Sequence, residues 1–101
     1  MACSPTPYLP VKDLGNIRFS GETSCSPASL TQMIVKGERQ ATIGWAEQGH
    51  NTWTFNNASW SGVKNTLTGC FHPNSTYRTR VTAYSGSIQV SSVSSGRSLA
   101  C

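Results

Sequence analysis

Charge is scarce in this sequence: only 12% of its residues are Asp, Glu, Lys or Arg. Four carboxylates in 101 positions are too few and too scattered to build a calcium cage. Asp13 is the sole aspartate, so no Ser-His-Asp order with a recognisable signature can be assembled. Glu22 and Glu47 fall on strand faces that read as solvent-exposed, which argues against a paired acid and base. His50 and His72 sit beside Gly49 and Pro73, in expected loops, and read as solvated. No CxxC pair and no Cys/His cluster of zinc spacing occurs. The chain is therefore expected to be no enzyme and to use no cofactor and no metal.

Two partner classes are excluded in the same way. No run of residues is apolar enough to cross a bilayer, so membrane insertion is not expected. The eight basic residues (Lys12, Arg18, Lys36, Arg39, Lys64, Arg78, Arg80 and Arg97) are scattered singly, and the net charge is only +4. Nucleic-acid binding would call for a denser basic stripe or a known module. There is no internal repeat.

Cysteine is what the chain does have. Cys3, Cys25, Cys70 and Cys101 are spaced 22, 45 and 31 residues apart. Two disulfides in an exported domain is the economical reading, because such bonds persist in oxidising compartments. The expected location is secreted, with Met1 read as an initiator placed on a chain whose signal peptide has been removed. Ser, Thr, Gly and Asn are abundant, as in a β domain with hydroxyl-bearing pleated surfaces and frequent turns. The length suits one domain, residues 1–101, with a modest core.

Hydrophobic periodicity gives short strands throughout. Residues 1–12 hold three closely spaced prolines and read as an extended arm or an edge strand. Ile17, Phe19, Gly21, Thr23 and Cys25 alternate against Arg18, Ser20, Glu22 and Ser24, a half-buried strand. Ser26-Pro27-Ala28-Ser29 turns the chain into a strand over 30–40 with Met33 and Val35 inward. A third strand is expected over 41–48, with Ile43 and Trp45 on one face. Gly49-His50-Asn51 then turns it into a short fourth over 52–55. Residues 61–69 form a strand with Val63 and Leu67 on one face. Tyr77, Thr79, Val81 and Ala83 line the inner side of 76–84, and Ser85-Gly86 makes a hairpin into 87–93, with Ile88 and Val90 inward. Such spacing predicts an all-β fold, an antiparallel sandwich or barrel, of which a single antiparallel β-sandwich of about seven strands is the expectation taken.

Strand direction constrains the cross-links. From Cys3 the chain runs out along the Pro-rich segment and returns along 16–25, so Cys3 and Cys25 finish at one end. Cys70 and Cys101 share an end by the same count through 76–84 and 87–95. Cys3–Cys25 with Cys70–Cys101 is thus allowed whether or not 52–56 counts as a full strand. The other pairings need one particular count, and all three arrangements stay open.

The segments FSGETSCS (19–26), TYRTRVTA (76–83) and SLAC (98–101) resemble small secreted four-cysteine proteins of actinobacteria. The resemblance implies an immunoglobulin-like scaffold and an exported location, and carries no general activity. The chain lacks the Cys…Trp…Cys spacing across the sheets of true immunoglobulin domains.

The aromatics suggest a role. Trp45, Trp53, Phe55 and Trp60 crowd into sixteen residues among Asn51, Asn56, Asn57, Ser59 and Ser61. Strand alternation places Trp45 and Trp53 in the core. Trp60, after a polar run, is expected to be exposed in a loop over 56–61 and, with Asn56 and Asn57, to meet a partner through ring stacking and amide hydrogen bonds. Tyr8, on the Pro-rich arm, is the alternative site. The expectation is a secreted binding or adaptor module, monomeric or weakly oligomeric, recognising a protein or a cell-envelope glycan. The competing expectation is a small cationic antimicrobial or inhibitor protein.

Overall fold

The structure, a computed structural model, describes residues 2–101; Met1, expected as an initiator, lies outside them. Among the described residues the strands in chain order are β1 (Ala2–Pro7), β2 (Val11–Asp13), β3 (Asn16–Ser26), β4 (Leu30–Gln40), β5 (Trp45–Ala58), β6 (Lys64–Gly69), β7 (Asn74–Ser85), β8 (Ile88–Val93) and β9 (Arg97–Ala100). All pairings are antiparallel, and they build two sheets. In the first, β1 and β2 follow one another along one edge of β3, and β6 covers the other. In the second, the order is β5, β4, β7, with β8 and β9 in succession along the far edge of β7. Three strand positions face four, which is the sandwich that the periodicity predicts.

The Pro-rich segment is the domain's own edge strand. Its inward positions are Cys3, Pro5 and Pro7, which pair with Cys25, Thr23 and Gly21. Both disulfides are sequential, Cys3–Cys25 and Cys70–Cys101, in agreement with the direction count.

The alternations of β3, β4 and β7 hold. Ile17, Phe19, Met33, Val35, Tyr77 and Val81 are buried together between the sheets, and Cys25, Leu30 and Ala83 form a second cluster near Cys3. The Phe19 and Tyr77 rings meet at 6.3 Å between centroids with their planes tilted by 58°, a geometry that aromatic pairs favour. Gly37 lies under the Phe19 ring, where any Cβ would collide with it. That close approach lets the largest core side chains sit between two backbones.

Three expectations fail, each because pairing or packing between elements overrides the local pattern. The strands expected over 41–48 and 52–55 are a single strand, β5. The turn lies earlier, at 41–44, closed by Ala41 N–H donating to the Gly44 carbonyl at 3.0 Å, and Ile43 is exposed there. Gly49-His50-Asn51 stays extended because β4 pairs with it throughout, absorbing the irregularity as a register shift at Gly37/Glu38. In β6 the faces are reversed. Thr66 is buried opposite Phe19, while Val63 and Leu67 are exposed. Trp45 is half-buried on the outer face of the second sheet, with the Arg78 guanidinium 4.2 Å above its ring. Trp53 does pack against the core, as expected.

Candidate functional site

β3 carries Glu22 at the centre of the outer face of the three-stranded sheet. Two exposed aromatic residues converge on it. Tyr8 follows β1 past Pro7, and its N–H donates to the Ser20 carbonyl at 2.9 Å, which sets the ring beside β3. Its hydroxyl donates to Glu22 Oε2. Trp60 arrives from the opposite edge, ahead of the start of β6, where it bridges to Ser24. The chain there is pinned on both sides: Cys25 N–H donates to the Ser59 carbonyl at 2.9 Å, and Ser61 N–H to the Thr23 carbonyl at 3.0 Å. The buried Ser61 hydroxyl also accepts from Thr23 N–H at 2.9 Å. So held, the Trp60 indole Nε1–H donates to Glu22 Oε1 at 3.0 Å.

Each carboxylate oxygen of Glu22 therefore holds one ring, and the rings remain 40% (Tyr8) and 56% (Trp60) exposed. The Tyr8 hydroxyl, and after it the Trp60 indole, favour the charged carboxylate and lower the Glu22 pKa below its ordinary value of 4.5. The same bond to the carboxylate, first among the causes, raises the Tyr8 phenol above 10.0. At neutral pH the cluster is a carboxylate flanked by two oriented donors. The surrounding face is polar: Ser20 donates to Asn65 Oδ1, and Ser4, Thr6 and Ser24 alternate outward beside Glu22. Arg18 approaches Asp13 at 3.8 Å, an exposed pair of small energetic worth.

The sequence-derived candidates are thus divided. Trp60 and Tyr8, argued as alternatives, belong to one cluster. Asn56 and Asn57 do not; they lie in β5, in the other sheet, rather than in the expected loop, and Asn57 has a positive φ of 52°. Both are exposed, and the hydrogen bonds of the cluster do not include them. Glu22, which joins the two rings, reads from sequence only as a solvated carboxylate.

The outer face of the other sheet holds a second charged group. Arg78 Nε donates to Glu38 Oε1 at 2.7 Å and Arg80 Nε to Oε2 at 3.1 Å, over a nearly buried Glu38. Lys36 and His50 both approach Glu47, at 3.3 and 3.0 Å. His50 is consequently in a strand, with its ring on a carboxylate, rather than in a loop. The hydrogen bond with His50 lowers the Glu47 pKa, burial opposes it, and Lys36 adds to the lowering. One carboxylate, Glu38, is thus shared by two guanidinium groups, while Glu47 takes Lys36 and His50. Among the described residues, no three His, Cys, Asp or Glu side chains gather as a metal site.

Comparison with known proteins adds the fold. The chain is similar to the solution structure of CsgH from R. palustris, with a TM-score of 0.53, 11% identity, and a match covering 89% of this chain and 88% of that one. At that identity the likeness extends to the fold alone. No protein-family model and no curated protein matches the chain.

Proposed function

We propose that the protein is a secreted, non-enzymatic binding module whose recognition surface is the outer face of the three-stranded sheet, and that its partner is a cell-envelope glycan. The observation that carries this reading is the arrangement of Tyr8 and Trp60 on the two oxygens of Glu22. Aromatic faces stack on the apolar faces of sugar rings, and hydroxyl, amide and carboxylate groups around them pair with sugar hydroxyls. The face supplies both, and the bonds to Glu22 hold the rings in place before a ligand arrives, which lowers the cost of ordering them. A protein partner would be expected to meet a larger contiguous apolar centre. Two disulfides support an oxidising compartment, as does the resemblance to small exported four-cysteine proteins.

The test is co-sedimentation with insoluble peptidoglycan, comparing the parent with Trp60→Ala. The backbone bonds that flank Trp60 survive this substitution, so the melting temperature should stay close to the parent's while binding is lost. Retained binding, or a variant that unfolds, would remove Trp60 from the site. Capture of a secreted protein in place of peptidoglycan, still dependent on Trp60, would keep the face and change the partner. The second reading, a cationic antimicrobial or inhibitor protein, rests on the net charge of +4. Attraction of that kind should fade between low and physiological ionic strength, whereas ring stacking should persist.

A further inference from the structure

The two sheets do not end together. β8 lies at the open edge of the sheet of β5, β4 and β7, with no strand beyond it among the described residues. Ile88 and Val90 register with Ser85 and Ala83 and so point to the core side, yet they are 54% and 37% exposed. Between β8 and β1 lies a cavity of about 210 Å³ lined by Ala2, Cys3, Ala83, Ser85, Ile88 and Val90. For scale, an apolar cavity of about 150 Å³ admits a benzene molecule. The space is large enough for an aliphatic side chain, and none of the described residues fills it.

Sheet edges are normally guarded against further pairing, and the other edges here are guarded. β1 has Pro5 and Pro7, which have no N–H to offer a further strand. β5 carries Glu47 and His50 and the register shift opposite Gly37/Glu38, and β6 opens with Lys64. β8 reads IQVSSV, with no proline and no charge. Basic groups flank it. Arg80, opposite Val93, shares the Glu38 carboxylate with Arg78, so that trio keeps one positive charge in excess. Exposed Arg97, at the start of β9 on the same edge of β7, has no carboxylate partner among the described residues and donates to the Pro10 carbonyl. No Asp or Glu occurs in the sequence after Glu47.

We propose that β8 is a strand-addition site for an extended segment of a partner polypeptide, apolar at alternate positions and acidic at its flanks. The added strand pairs with the free backbone groups of β8. Its inward side chains enter the cavity beside Cys3 and cover Ile88 and Val90. The acidic flanks answer Arg80 and Arg97. A second copy of the chain is the poorer occupant, since it would bring the same basic residues together on molecules that each carry +4. This surface lies on the opposite sheet from the Tyr8–Glu22–Trp60 cluster and does not depend on it.

The experiment uses the oxidised full-length chain and a short synthetic peptide of Val and Ile alternating with Ser and Thr, with Glu at both ends. Fluorescence anisotropy measures binding, and amide hydrogen exchange locates it. Saturable binding is expected, with exchange slowed at β8. The same peptide N-methylated at alternate amides should bind about tenfold more weakly, because backbone hydrogen bonds are lost. Lys in place of the terminal Glu should also weaken it. Val90→Lys should weaken binding and Trp60→Ala should not; the N-methylated peptide decides the matter even if Val90→Lys does not fold. Failure of the peptide to bind, equal binding of the N-methylated form, or protection elsewhere would each overturn the proposal. So would protection of β8 without peptide, appearing with a concentration-dependent dimer, which would make the occupant a second copy.

Discussion

Glu22 accepts two hydrogen bonds in the folded chain, and both are stronger to the ionised carboxylate than to the neutral acid. Its folded pKa lies below the unfolded value, so the folded state binds fewer protons. The stability it contributes is present above the unfolded value near 4.5 and is lost as pH falls through the lower folded value. Tyr8 runs the other way: its contribution is complete below its ordinary 10.0 and is lost as pH rises through the higher folded value. The indole N–H resonance of Trp60 should therefore shift on acidification with a midpoint below 4.5, and Glu22→Gln should abolish the step. A midpoint at or above 4.5 would mean that the carboxylate does not hold the rings. Much of this cluster was legible in principle. Once Cys3 faces Cys25, antiparallel counting puts Thr6 opposite Glu22, and Tyr8 two residues on, within reach of it. Trp60 was not within such a count, because its position depends on a long return from β5 to the edge of β3.

At the scale of strands and turns, the hairpin between β7 and β8 is the part that local chemistry determines best. Ser85 pairs with Ile88, so the loop is two residues, and Gly86 adopts φ +60°. That region is costly for a β-branched residue. Gly86→Val should lower stability by roughly 1–3 kcal/mol, read from the urea midpoint. A variant as stable as the parent would show that the turn can change type freely. β6 illustrates the limit of the same local reasoning. Its pattern favours Leu67 inside, but Phe19 and Tyr77 already occupy the space between the sheets. Only the small Thr66 fits opposite Phe19, and its hydroxyl donates to the Val35 carbonyl at 3.3 Å. In β5, an eleven-residue partner strand keeps Gly49-His50-Asn51 extended despite their turn-forming character.

Over the whole molecule, the cross-links close the places where the sandwich is weakest. Cys3–Cys25 fastens the edge strand β1 to β3, and Cys70–Cys101 fastens the C-terminus, just past β9, to the segment leading into β7. Loops of these lengths contribute about 3–4 kcal/mol each in the chain-entropy view. Against a typical total of about 5–15 kcal/mol, loss of both is severe. Chemical denaturation with and without a thiol reductant should show a fall of that order, and the native protein should weigh less by two hydrogens at each bond. Titratable thiols in the native protein would contradict both the cross-links and the argument for an oxidising compartment.

The sequence by itself determined the class of fold, the inner faces of β3, β4 and β7, that sequential disulfides are allowed under either strand count, and the turn at Gly86. All of these follow from period-two alternation, turn chemistry and the reversal of successive antiparallel strands, which are local properties. Only the tertiary structure decided which face of β6 is buried, that β5 is one strand, that Trp45 covers Arg78, and that Tyr8 and Trp60 meet on Glu22. Those outcomes depend on the volume left between two sheets and on contacts between residues as far apart as 8 and 60. No local pattern contains that information, because it arises only when the two sheets stack and their edges are assigned.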